Sequence, residues 1–225
     1  MSKFKSHQRV NDIFFGPLER PALRWLAAHM PAWMTPDILT MIGVIGSVVS
    51  MGGYLLGRIN HLGLWLASLG LVVNWFGDSL DGSLARYRNI ERPKYGFFID
   101  RSLDAMGEFL VLIGLGLSPY CRFDIACLAL IGYFMMEILV IAATHSHGVF
   151  KISYGKIGPT ELRVVIILTN TVVYFLGNPG IQTTKGIFHL FDLILIPLTA
   201  AILLVFVFST VRLARELKDI DRQDN

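Results

Sequence analysis

Cysteine is almost absent from this 225-residue chain: Cys121 and Cys127 stand six positions apart, near or in one predicted helix, a spacing that gives no disulfide framework. Charge is scarce too. Only 16% of residues are Asp, Glu, Lys or Arg, against 53% hydrophobic, and a mean hydropathy of +0.55 excludes an ordinary soluble domain. There is no internal repeat, low-complexity tract or nucleic-acid motif. Residues 1–12 are polar and lead into no hydrophobic core of the signal-peptide kind, so no cleavable leader is expected.

What is present is a set of long apolar runs. Six stretches, at 37–57, 61–84, 97–118, 123–145, 160–178 and 188–211, are long enough at helical rise to cross a bilayer. The expected fold is therefore all-α: a polytopic membrane domain of six transmembrane helices over 37–211. An N-terminal cytoplasmic segment (1–36) precedes it and a cytoplasmic tail (212–225) follows. Within 13–33, Phe14, Phe15, Leu18, Leu23, Trp25 and Leu26 alternate with Glu19, Arg20 and Arg24, which predicts an interfacial amphipathic helix interrupted near Pro17 and Pro21. With the N-terminus cytoplasmic, 17 of the 20 Lys and Arg residues fall inside and only Arg58, Arg122 and Lys185 outside. Both termini are expected in the cytoplasm.

The facing ends of the second and third spans carry Asp78, Asp81, Asp100 and Asp104, four carboxylates within 27 residues. An Asp at a membrane-helix centre costs about 2.5–3.5 kcal/mol on insertion scales, so these acids need neutralising. Asp78 and Asp81 are i,i+3, with Gly82 and Ala85 continuing that side and Arg86 one turn beyond. Gly96, Asp100 and Asp104 form an i,i+4,i+8 stripe on the next span. Two antiparallel helix ends joined near 87–95 would aim all four carboxylates into one cytoplasmic cleft. Oxygen-only ligands on facing helices suit a pair of Mg²⁺ or Mn²⁺ ions. Small residues beside the acids admit a phosphorylated ligand, and the planar fork of Arg86 suits phosphate.

The frame D-x2-D-G-x2-A-R-x8–9-G-x3-D-x3-D resembles the signature of the CDP-alcohol phosphotransferases, also called CDP-alcohol phosphatidyltransferases, with every fixed position filled. Thr35-Pro36-Asp37-Ile38-Leu39-Thr40 is similar to the stretch that opens the first span in that family. The resemblance implies metal binding by Asp78, Asp81 and Asp100, with Asp104 as general base that also approaches a metal. It implies a CDP site formed by Asp37, Thr40, Gly82, Ala85, Arg86 and Gly96. It further implies transfer of a substituted phosphoryl group from a CDP-linked alcohol, such as CDP-diacylglycerol, to an acceptor hydroxyl with release of CMP, and a homodimer. Choline and ethanolamine phosphotransferases of the eukaryotic type carry His after the third Asp, where this chain has Arg101. Yet Gly158-Pro159-Thr160-Glu161 resembles a stretch of that same branch. The acceptor stays open among glycerol phosphate, an inositol compound, serine and diacylglycerol.

Weaker signals surround this frame. Lys156, Glu161 and Arg163, on the other large inner connection, are candidates for the acceptor pocket together with Glu137, against a basic loop that merely obeys the inside-positive bias. Glu137 is placed by helical rise at roughly the depth of Asp104, about 12–13 Å from the inner end. It is expected either to face the same cavity or to be a protonated group bonded to Asn74 or Asn170. Glu108, i+4 from Asp104, is a further supporting candidate, and His145 and His147 are expected as interfacial residues. Gly53 and Gly57 form a small-xxx-small pair, and Pro197 predicts a kink in the last span. A cation or proton-coupled transporter is the main competing class, but transporters place acids near the midplane of broken helices. A prenyltransferase would also use paired carboxylates, but it has no use for the Asp-Gly-x-x-Ala-Arg block.

Overall fold

A computed structural model describes residues 16–147, 159–184 and 186–223. Among these residues seven helices run in chain order: α1 Gly16–His29, α2 Pro36–Leu56, α3 Gly63–Tyr87, α4 Pro93–Gly116, α5 Phe123–His147, α6 Pro159–Leu176 and α7 Leu190–Gln223. Local chemistry sets several of their ends. Thr35 caps α2 by accepting the Ile38 N–H at 3.2 Å, and Pro36 occupies the first turn, where a missing N–H costs nothing. α3 stops where Asn89 turns left-handed (φ 55°) and the Ile90 N–H reaches back to the Ala85 carbonyl. Pro93 then starts α4.

Among the described residues, four helical stretches are long and apolar enough to cross a membrane: Pro36–Leu56, Phe123–Thr144, Pro159–Leu176 and Leu190–Arg222. α3 and α4 fall outside this set because Asp78, Asp81, Asp100, Asp104 and Glu108 break their apolar runs.

Three features differ from expectation. α1 runs unbroken through Pro21; a proline this near a helix start removes a single backbone bond. The link between α6 and α7 is a two-stranded antiparallel hairpin, β1 Gly180–Thr183 with β2 Gly186–His189, so the fold is helical with one small sheet. Asn178 (φ 57°) ends α6 and lets the chain reverse. α7 continues past position 211 to Gln223, its polar end carrying an Arg212–Glu216 ion pair one turn apart.

α2 packs on α3 and α4, α5 on α4 and α7, and α1 and α6 on α3. The α2–α3 seam positions the functional site, and it is made of glycine. A Cβ built at Gly46, Gly53, Gly63, Gly70 or Gly77 would run into facing backbone, so the two helices touch main chain to main chain. A larger core fills the bundle around Tyr54, Leu64, Leu115, Tyr120 and Phe191, and a smaller one seats α1 through Leu23, Ala27, Leu39, Leu80 and Leu84. At the end away from the aspartates, buried Asp192 accepts the N–H groups of Arg122 and His189, both at 2.8 Å. Cys121 donates to the same carboxylate, and both cysteines are free thiols.

Candidate active site

The glycine seam carries Thr40 of α2 up to α3, where its hydroxyl donates to Asp81 at 2.7 Å. Asp81 is only 7% exposed and also accepts the Gly82 N–H. Asn74, one helical turn before Asp78, donates to the Gly43 carbonyl and the Ser47 hydroxyl, both at 3.1 Å, which fixes the floor of the cleft. Asp78, Asp81, Asp100 and Asp104 line this one cleft with Thr40, Gly43, Val44, Asn74 and Leu103. The i,i+3 and i,i+4 spacings of α3 and α4 therefore converge on a single opening at the end where α2 begins, α3 ends and α4 begins.

Two arginines reach these acids, one from another helix and one from within the acidic frame itself. Arg163 of α6 bonds Asp78 at 2.8 Å. Arg101 of α4 contacts Asp104 at 3.2 Å and grips both Glu137 oxygens from α5 at 3.0 and 3.1 Å. Glu137 thus lies behind Arg101 and is not among the cleft-lining residues. Asn74 and Asn170 are engaged elsewhere, Asn170 with Tyr54 and Ser68. Glu108, one turn beyond Asp104, is within electrostatic reach of Arg163, Asp78 and Glu137.

The remaining candidates sit around the mouth. Arg86 is exposed, bonded to Ser83 at 3.3 Å, with its guanidinium over Gly82. Ala85 is half-buried on the same helix. Gly96 faces open space, so a Cβ there would meet nothing within 4 Å. Asp37 pairs with Arg92, which also stacks over the Tyr95 ring at 4.2 Å from its centroid. Glu161 is buried at the start of α6. Lys156 lies outside the described residues, as do Gly158 and the side chains of His145 and His147.

The sequence pattern placed Glu19 only among the polar residues of the interfacial helix. Its carboxylate accepts from Trp75 Nε1 at 2.7 Å, the Ser79 hydroxyl at 3.2 Å and the Thr160 hydroxyl at 3.0 Å, tying α1 to α3 and to the first turn of α6. Arg88 adds a second tie by donating to the carbonyls of Met30 and Pro31, at 3.1 and 2.8 Å.

All the cleft acids offer oxygen, the donor set of a hard divalent cation, and Thr40 and Asn74 stand beside them. Among the described residues no three carboxylates, histidines or cysteines are gathered closely enough to ligate an ion as they stand. Asp78 and Asp104 line the cleft while paired with Arg163 and Arg101, so the set has the donor chemistry of a divalent-cation site with two of its carboxylates held by arginine.

The chain is 36% identical over 105 residues to archaetidylinositol phosphate synthase of Pyrococcus horikoshii, covering 46% of this chain and 52% of that protein. It is 26% identical over 163 residues to cholinephosphotransferase 1 of Danio rerio, covering 68% and 41%. It is 35% identical over 95 residues to phosphatidylinositol phosphate synthase of Cutibacterium acnes, covering 40% and 41%. The matched part thus spans about half or less of these relatives' own lengths. The crystal structure of Mycobacterium tuberculosis phosphatidylinositol phosphate synthase with CDP-DAG bound aligns over 90% of this chain and 93% of that one, at 20% identity and a TM-score of 0.49. Residues 33–211, which hold the cleft, its four aspartates and the Thr35 cap, match the profile of one family along their whole length, and the chain belongs to the CDP-alcohol phosphatidyltransferases.

Proposed function

We propose that this chain is an integral membrane phosphotransferase of phospholipid biosynthesis. It moves a substituted phosphoryl group from a CDP-linked lipid, of the CDP-diacylglycerol kind, to an acceptor hydroxyl and releases CMP. The single observation that carries the reading is the convergence of four aspartates from two helices on one cleft. Relatives named phosphatidylinositol phosphate synthase and cholinephosphotransferase support a lipid partner.

In this reading Asp78, Asp81, Asp100 and Asp104 hold a pair of Mg²⁺ or Mn²⁺ ions, which when bound neutralise charge spreading over the phosphoryl oxygens. Arg86, on the exposed lip, takes the donor's phosphates, while Asp37, Thr40, Gly82, Ala85 and Gly96 shape the nucleotide side. The acceptor oxygen bonds to the β-phosphorus as the bond to the CMP oxygen breaks, and Asp104 takes the acceptor's proton. Arg163, bonded to Asp78, and Glu161 at the start of α6 serve the acceptor, with Lys156 the further candidate from the sequence. α2 to α7 all cross the bilayer, α3 and α4 included. α1 lies along the inner interface, with Leu18 and Trp25 exposed to lipid. Both termini and the cleft face the cytoplasm, and the enzyme works as a homodimer.

Exchange of radiolabelled CMP into CDP-diacylglycerol, with the purified chain in lipid vesicles, tests the reaction. The expected result is label in the lipid only when Mg²⁺ or Mn²⁺ is present, and none for Asp81→Asn. No exchange with any CDP-alcohol, together with cation flux across the vesicles, would overturn it in favour of transport.

A further inference from the structure

Arg101 has two carboxylate partners of unequal strength. One terminal nitrogen contacts both Glu137 oxygens at 3.0 and 3.1 Å, whereas the other meets Asp104 once, at 3.2 Å. Arg101 and Asp104 are three residues apart on α4, which puts the guanidinium on the same side of the helix as Asp104. Glu137 comes from a different helix, α5, which packs along α4. All three side chains are mostly buried, between 16% and 22% exposed, and a guanidinium in such surroundings needs a counter-charge. Glu137 supplies a full one on the side away from the cleft.

We propose that Glu137 is a positioning residue: by holding the Arg101 guanidinium on the α5 side, it leaves Asp104 free to turn into the cleft and bind a divalent cation. The inference rests on the metal-binding reading given above. Without the Glu137 charge, Asp104 is the carboxylate still in contact with Arg101, and the arginine then competes with the cation for it. Glu137 touches no reacting group and acts chiefly through Arg101, although it also lies within direct electrostatic reach of Asp104. It also explains why an Arg at position 101 is compatible with an acidic site, since its charge is already matched from outside the cleft.

The test is Mn²⁺ binding to the purified full chain in detergent, read as loss of the free-ion EPR signal, without substrate or turnover. Glu137→Gln is expected to raise the half-saturating Mn²⁺ concentration by about 10- to 100-fold, the usual effect of removing a group that orients a metal ligand. In an Arg101→Gln background the same substitution is expected to change it by no more than about twofold, because the competitor has gone. Arg101→Gln alone is expected to bind Mn²⁺ at least as tightly as the native chain, whereas a purely structural ion pair would make it bind more weakly. Native-like binding by Glu137→Gln, an undiminished shift in the Arg101→Gln background, or weakened binding by Arg101→Gln would each overturn the inference. If Glu137→Gln does not fold, the Arg101→Gln measurement decides alone. Absence of Mn²⁺ binding by the native chain is a separate result, and it removes the metal site along with this inference.

Discussion

Thr40 and Asp81 lie 41 positions apart in sequence and 2.7 Å apart in space, and among the described residues the hydroxyl is the one side-chain donor seen on this buried carboxylate. A hydrogen bond to a charged group contributes about 1.5–3 kcal/mol. Thr40→Val keeps the shape and removes the donor, so CMP exchange is expected to fall by about 10-fold or more. Thr40→Ser should retain most of it. Equal rates for the two variants in the radiolabel assay would mean that the bond has no role in turnover. The four aspartates were legible in the sequence because helical spacing is local: i,i+3 and i,i+4 fix a shared face without knowledge of the fold. The distant partners were not: Arg163 meets Asp78 across 85 positions and Glu137 meets Arg101 across 36, and nothing in either segment alone announces the pairing, whereas Arg101 beside Asp104 is itself a local i,i+3 pair. Four acids near a bilayer need neutralising, and two of them are neutralised in part from within the chain.

At the scale of elements, the α2–α3 seam does most to build the site, because it sets how far Thr40 and Asn74 can reach. Gly63, Gly70 and Gly77 recur every seventh position on α3, opposite Gly53, Gly46 and Gly43 of α2 in turn. In the sequence only the Gly53–Gly57 pair stands out as a short motif; the seven-residue spacing becomes meaningful once a partner helix is known. Gly70→Val would push its side chain into the backbone of Gly46 and Ser50. Overpacking of this kind costs about 1–3 kcal/mol, so thermal unfolding in detergent should shift several degrees down. Gly52, where an added Cβ would meet nothing within 4 Å, is the control: Gly52→Ala is expected to be neutral or to raise stability by about 0.5–1 kcal/mol. Equal melting temperatures for the two variants would show that the seam tolerates side chains. The first span begins where Thr35 and Pro36 place it, whereas α4 starts at Pro93, inside the stretch expected as a loop, because proline fits a first helical turn. The expectation also fails at α7, where a charged but strongly helix-forming segment prolongs the helix to Gln223.

The whole molecule is polarised along the bundle. At one end lie the acid cleft, Arg86, Arg88 and Arg92, and the Glu19 node that fastens α1; at the other lie the hairpin, Arg58, Arg122 and buried Asp192. The charge count of 17 against 3 requires α3 and α4 both to cross the bilayer despite their acids, since only that would put Arg58 and the 87–92 turn on opposite sides. Single cysteines test this directly. In a background with Cys121→Ser, which keeps a donor for Asp192, and Cys127→Ala, cysteines are placed at Arg58 and at exposed Glu91. In intact cells a membrane-impermeant thiol reagent is expected to label Arg58→Cys and to spare Glu91→Cys until the membrane is opened. Labelling of both positions from outside would mean that α3 does not span. The reverse pattern would place the cleft on the outer face, away from the cytoplasmic pool of cytidine nucleotides that the proposed reaction draws on. Either outcome would contradict the same physical premise, that the aspartates are tolerated in α3 and α4 because they gather at the inner end, where water, arginine and cations can reach them.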